Sequence, residues 1–266
     1  MAQKRVSPAF HFLTFSQYIF YHDFEFARSH QLNARMKFRS PLIRGTIVKR
    51  YRRSLVDVKL DNGRIVTAHS PSLGPMTGCY EPGRPAMLSD SHDPNRKHPL
   101  TWELIDMGGI WVGVNPSAAK KVLVEAIDTS GIPSLAGYET LKETTYGRNK
   151  KTDLILQGME HNCFINTYSV SWAENDVALF PDAVSTRATT QLRELAEIPT
   201  EGHRSIAFFL VQRSDCSRLT IAAGINSELQ QALRGARNAG VEILVYRSVV
   251  SPEEITLGSP IPCIID

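Results

Sequence analysis

The sequence predicts a two-domain protein of the α+β/α/β kind, a small antiparallel β-barrel followed by a mixed α/β domain. Three observations predict it. Residues 36–110 hold short runs rich in Val, Ile and Thr, separated by turn signals. The period changes after Gly108-Gly109, where Asn115-Pro116 opens a helical pattern. From there the order is helix, three strands, helix, strand, with a further helix and strand appended, an alternation that favours an α/β layer structure.

Residues 1–35 are rich in aromatics but have no clear period, and they read as an N-terminal extension. Ala9–Tyr21 follows Lys4 and Arg5 and invites a signal-peptide reading, but His11, Ser16 and Gln17 interrupt it and no small-residue cleavage pattern follows. No apolar run approaches the roughly 20 residues that span a bilayer. The expectation is a cytoplasmic protein without a membrane segment. Cys79, Cys163, Cys216 and Cys263 are far apart and form no C-x-x-C pair, which fits four reduced thiols better than a zinc site or a disulfide framework.

Within residues 36–110, Ile43–Tyr51, Ser54–Leu60 and Arg64–His69 read as strands, and Asp61-Asn62-Gly63 is a hairpin signal. Pro85–Ser89 and Thr101–Met107 bring the number to about five, which suits a barrel of the oligonucleotide-binding (OB) type. In residues 111–266, Ser117–Ile127 continues a helix from its Asn-Pro start. Thr140–Tyr146, Thr152–Leu156 and Cys163–Ser169 read as strands, and Ala183–Glu197 as the second helix. Ser205–Gln212 is nearly all apolar, as a strand buried on both faces should be. Ser227–Asn238 is a helix closed by Gly240, and Val241–Arg247 is a last strand.

Charge is divided unevenly. Residues 36–110 carry 12 Lys and Arg against 7 Asp and Glu, whereas residues 111–266 carry 14 against 18. A polyanion would therefore dock on the first domain. Lys49, Arg50, Arg52 and Arg53 surround Tyr51, an arrangement that can neutralise phosphates and stack a base. The same cluster also reads as a solvated hairpin edge, made basic to prevent strand pairing. Arg96 and Lys97 lie on a polar loop, His92–His98. Gly74 and Met76-Thr77-Gly78 read as a tight turn, and His69 as a packed histidine rather than a metal ligand.

Several segments, in order, resemble the sugar fermentation stimulation protein A family. They are G-T-I-V-K-R-Y-R-R (Gly45–Arg53), T-A-H-S-P (Thr67–Pro71), G-P-M-T-G (Gly74–Gly78), H-P-L-T-W-E-L (His98–Leu104), G-V-N (Gly113–Asn115) and L-A-G-Y (Leu135–Tyr138). The strongest matches are F-P-D-A-V (Phe180–Val184) and F-L-V-Q-R-S-D-C (Phe209–Cys216). The resemblance runs from about Met36 to the C-terminus. It implies an N-terminal OB-like domain, a C-terminal domain related to the PD-(D/E)xK nucleases, DNA binding and a bacterial cytoplasmic setting. Family members usually begin near the position of Met36. Residues 1–35 are therefore expected to be a mis-assigned start, or else a lineage-specific, disordered extension.

A nuclease of this class needs two acidic ligands for Mg²⁺ and a lysine near the attacking water. The resemblance places Asp153 at the family's Asp. The next strand should read C-(Y/F)-(I/V)-E-V-K, and here it reads Cys163-Phe164-Ile165-Asn166-Thr167-Tyr168. Asn166 thus stands for Glu and Tyr168 for Lys; neither carries the charge its place requires. After F-P-D-A-V the family's T-E-R-G-Q-K-H-L is replaced by Ser185-Thr186-Arg187-Ala188-Thr189-Thr190-Gln191-Leu192, and Arg187 alone of the charged groups survives. Glu125 and Asp182 are the carboxylates that fold logic brings nearest, although Asp182 also suits a helix start. Arg148, Lys150 and Lys151 would stand at the mouth of the cleft and, with Arg187, hold DNA backbone. The expectation is a DNA-binding protein that does not cut and needs no cofactor, with Mg²⁺ required only if nuclease activity remains. The alternatives are a weak metal-dependent nuclease and an interaction scaffold with no nucleic-acid role.

Overall fold

The computed structural model describes residues 35–141, 144–146 and 150–265, without the side chains of residues 141 and 150. The expectations for residues 1–34 lie outside it. The chain enters as β1 (Arg35–Lys37) and then makes β2 (Ile43–Tyr51), β3 (Leu55–Leu60), β4 (Ile65–His69), β5 (Pro85–Asp90), β6 (Leu100–Asp106) and β7 (Trp111–Gly113). The order β4-β3-β2-β5-β6-β7 is antiparallel throughout, and a parallel pairing of His69 with Thr101 joins β4 to β6 and closes the barrel. β2 is the shared strand: its first half pairs with β5 and most of its length with β3. Gly45 lies where β3 presses closely on it. A Cβ there would stand 2.5 Å from the Val58 side chain and 2.8 Å from the Lys59 carbonyl, so the tight curl requires glycine. Ile47, Val56, Val58, Leu88 and Trp102 fill the barrel, all 2% exposed or less. The Trp102 indole N–H donates to the Leu104 carbonyl at 2.9 Å, so its burial leaves no orphaned donor.

Beyond the barrel come α1 (Ser117–Asp128), β8 (Glu139–Leu141), β9 (Thr145–Tyr146), β10 (Lys150–Lys151), β11 (Leu154–Gln157), β12 (Cys163–Val170), β13 (Ala173–Glu174) and β14 (Val177–Phe180). Then follow α2 (Thr186–Leu195), β15 (Arg204–Val211), β16 (Arg218–Ile221), α3 (Ser227–Asn238), β17 (Glu242–Val250), β18 (Glu254–Pro260) and β19 (Cys263–Ile264). A seven-stranded mixed sheet has the order β1-β18-β17-β15-β12-β11-β8, parallel across β12, β15 and β17. One face packs on α1 and the other on α2 and α3. The apolar run read at Ser205–Gln212 is the central β15, buried at every position after Arg204. α3 lays Leu229, Ala232, Leu233 and Ala236 on the sheet at helical spacing, starts at an Asn226 cap that accepts from the Leu229 N–H at 3.1 Å, and is followed by Gly240 at φ +98°.

Three sequence expectations are corrected. The helix predicted over Ala183–Glu197 begins only at Thr186, because the Ser185 hydroxyl accepts from the Ala188 N–H at 3.2 Å and caps it there. The strand predicted over Thr140–Tyr146 divides in two: β8 joins the large sheet through β11, while β9 pairs with β10. Finally, β13, β14, β16 and β19 form a separate four-stranded sheet that the sequence did not announce. Its strands are two to four residues long, too short for a period to show. Among the described residues no helix is long and apolar enough to cross a membrane.

Candidate functional site: two basic loops and a cleft

The hairpin tip between β2 and β3 carries Arg52 and Arg53 at φ 50° and 60°, a left-handed conformation that usually selects Asn or Gly. Both side chains are exposed. Lys49 is exposed beside them, 5.5 Å above the Tyr51 ring and 3.9 Å from Asp57. The Tyr51 hydroxyl donates to Asp57 Oδ1 at 3.0 Å, which leaves its ring half-buried on the barrel wall. Arg50 behaves differently. Its guanidinium donates to Ser70 Oγ at 3.0 Å, to the Ser72 carbonyl at 2.7 Å and to the Arg53 carbonyl, so it builds the tip rather than projecting from it. Arg96 and Lys97 are exposed on the loop that leads into β6. Leu55 pairs with His69, and His69 pairs with Thr101. The bases of the two basic loops therefore stand two strand spacings apart, about 10 Å. In the OB fold these are the loops between the first and second and between the fourth and fifth barrel strands, which flank the face used for oligonucleotides.

The second region is a cleft between α1, α2 and the β11–β12 edge. Two adjoining hollows of about 720 and 670 Å³ meet at Lys120, Asp153, Arg187 and Gln191. Leu154 pairs with Ile165, so Asp153 falls opposite Asn166, and Tyr168 lies on the same face two residues further on. The three residues are thus brought together on one face, and each group is already engaged or neutral. Asn166 is 1% exposed, and its Oδ1 accepts from the Asp153 N–H at 3.0 Å. Asp153 Oδ2 accepts from the Thr167 N–H at 2.7 Å and the Thr167 hydroxyl at 2.8 Å. Asp153 Oδ1 lies 3.6 Å from Arg187. Tyr168 is 4% exposed, stacked on Phe209 at 4.7 Å, and its hydroxyl has no hydrogen-bond partner. Burial, reinforced by the Asp153 charge, pushes that hydroxyl's pKa far above the usual tyrosine value.

Lys151 lines the same cleft; Arg148 and the Lys150 side chain lie outside the described residues. Glu125 lines it from α1. Asp182 does not share it. It faces the barrel, where it accepts from the Met76 N–H at 3.1 Å and stands so close that a Cβ on Gly74 would meet its oxygens at 2.6 Å. Burial raises the Asp182 pKa, partly offset by that hydrogen bond and by Arg50. Lys120 and Lys121 are cleft residues that the sequence reading missed. The signal was present: Ser117, Lys120, Lys121, Val124 and Glu125 follow the spacing of one helix face, opposite the buried Ala118, Ala119, Val122 and Ala126. Among the described residues no cluster of three or more His, Cys, Asp and Glu could hold a metal ion, and all four cysteines are free.

An OB barrel joined to a nuclease-like α/β domain defines the class of this protein. The model of the SfsA N-terminal OB domain matches residues 48–114, and that of the sugar fermentation stimulation protein RE domain matches residues 117–254. The chain belongs to the sugar fermentation stimulation protein family. It is 43% identical over 226 residues to a sugar fermentation stimulation protein homolog of Pelobacter propionicus, covering 85% of this chain and 98% of the relative. The homolog of Maricaulis maris is 40% identical over 228 residues, covering 85% and 97%. The fold matches that of Pyrococcus furiosus SfsA, solved in complex with Ca²⁺, with a TM-score of 0.79, 21% identity and coverage of 86% of this chain and 98% of that one.

Proposed function

We propose that this protein binds DNA through the two basic loops of its barrel and does not cut it. The observation that carries the second half is the state of Asp153. Its Oδ2 is held by the Thr167 N–H and hydroxyl, Arg187 stands 3.6 Å from Oδ1, and the residues beside it on β12 are the neutral Asn166 and Tyr168. Mg²⁺ requires several oxygen ligands, usually including carboxylates, to offset the loss of its hydration shell. One engaged carboxylate and one amide oxygen already bonded to a backbone N–H do not fit it, and no cofactor is assigned. Binding of DNA is supported by the family resemblance and by Arg52, Arg53, Arg96 and Lys97, which are exposed on loops close together. Lys120, Lys121, Lys151 and Arg187 offer a second line of contacts across the cleft. The reduced thiols fit a cytoplasmic setting.

The test runs binding and cleavage on one preparation. Fluorescence anisotropy with single- and double-stranded DNA in EDTA is expected to show salt-sensitive binding that needs no divalent metal. Incubation with Mg²⁺ or Mn²⁺ is expected to leave labelled DNA intact. Cleavage that Asp153→Ala abolishes would establish the competing reading, a weak nuclease, which is favoured by Glu125 standing in the same cleft and by the Ca²⁺ bound to the Pyrococcus relative. Absence of binding to any DNA or RNA at low salt would favour a scaffold.

A further inference from the structure

The cleft has features that a vacated metal site does not explain. Two helices open on it: α1 through Pro116 and Ser117, and α2 through Ser185 and Arg187. Neither has an acidic residue in its first turn. At α2, Ser185 satisfies the Ala188 N–H, while the N–H groups of Thr186 and Arg187 have no acceptor among the described residues. Helix N-termini of this length carry partial positive charge and favour anions. Lys120 and Lys121 stand on the facing wall without an ion-pair partner among the described residues. The Arg187 side chain is 79% exposed and only loosely paired with Asp153, so it is free to turn. The Tyr168 hydroxyl is the second, independent sign. It is buried and unpartnered, and it lies within the field of both Asp153 and Arg187. An orphaned buried hydroxyl is costly and calls for an acceptor. Val124, Phe180 and Ala188 supply an apolar wall on the same hollow.

We propose that this cleft binds the phosphate of a nucleotide without a divalent metal. The phosphate sits at the α2 N-terminus, receives hydrogen bonds from Arg187 and the Tyr168 hydroxyl, and is neutralised by Lys120, while the base lies on the apolar wall. A terminal phosphate, carrying close to two negative charges at neutral pH, suits this site better than a phosphodiester carrying one. Its sources are the 5′ end of a strand or a free mononucleotide. The inference rests on the reading that Asp153 takes no metal.

The probes are a deoxynucleoside 5′-monophosphate, and one oligonucleotide with either a 5′-phosphate or a 5′-hydroxyl, titrated against the full chain in EDTA. The expected result is binding of the monophosphate, and tighter binding of the phosphorylated oligonucleotide than of its hydroxyl counterpart. Arg187→Gln should weaken both effects about tenfold or more, as loss of a charge-assisted hydrogen bond does. Tyr168→Phe should weaken them about tenfold without lowering the melting temperature, since packing is kept and an orphaned group removed. A purely structural tyrosine would leave affinity unmoved. The inference is overturned if the monophosphate does not bind and the two oligonucleotides are indistinguishable, if both variants bind as the parent does, or if binding appears only with Mg²⁺ and is lost in Asp153→Ala. If only the phosphorylated oligonucleotide binds, the strand end is the source; if the mononucleotide binds equally well, the free nucleotide is. Arg52→Glu/Arg53→Glu separates the two proposals, because it removes the barrel's contribution to DNA affinity and leaves mononucleotide binding intact.

Discussion

The barrel tip and the cleft are both rich in polar and charged groups, yet they manage them in opposite ways. At the tip, Arg52 and Arg53 project from a turn in a backbone conformation unfavourable for arginine and find no acidic partner among the described residues. In the cleft, the acidic group is held from within by Thr167, with Arg187 3.6 Å away. Two cations held in such a turn without an acidic partner point to a use outside the molecule. Satisfaction from within points to a group kept for structure.

The largest effect is expected from charge reversal at the tip. Arg52→Glu/Arg53→Glu is expected to lower DNA affinity roughly 100-fold at low salt and to flatten the dependence on salt, read as the slope of log affinity against log salt. An unchanged slope would move the interface elsewhere. Next comes Tyr168→Lys, which puts the lysine that the resemblance implies at a buried position. It is expected to cost about 3–5 kcal/mol in urea unfolding, because the lysine replaces the stack on Phe209 with a buried charge. A stable variant would mean the cleft still accommodates the catalytic residue. Thr167→Val, which returns the family residue and removes one hydrogen bond to Asp153, should cost about 1–2 kcal/mol by the same measurement.

Asp182→Asn tests the contact between barrel and second domain. The folded pKa of Asp182 is raised, so its proton favours folding: the stability it brings is complete below the ordinary carboxylate range and is lost as pH rises through the folded value. Asparagine keeps an acceptor for the Met76 N–H without the buried charge. Its melting temperature at pH 7 is expected to be no lower than the parent's, with any advantage fading as pH falls below 4. A large loss at pH 7 would show that the charge itself, facing Arg50, holds the domains. The smallest effect belongs to Lys49→Ala, whose exposed pair with Asp57 at 3.9 Å is worth about 0.5 kcal/mol or less.

Much of this was legible in the sequence, and the legible parts share a cause. β2, β15 and α3 are long enough for their period or apolar run to show, and Asn115 and Gly240 mark helix ends by local chemistry. Asn166 and Tyr168 could be placed on one face because strand alternation fixes which residues share it. Arg50 could not be told from Arg52, since neighbours on a hairpin look alike until the loop at Ser70–Ser72 folds back onto one of them. Asp182 was read as a helix-start residue because the local signal there is shared with Ser185, and only the barrel's approach decided between them.

The kinds of the two domains and the order of their long elements were thus set within the sequence. These follow from periodicity and side-chain chemistry, which act over a few residues. Tertiary structure decided that Asp153 is held by Thr167, that Lys120 and Lys121 face it from α1, and that the two basic loops, some forty residues apart in the chain, share one side of the barrel. Contacts between distant segments depend on how sheets close and helices dock, and no local pattern encodes that geometry.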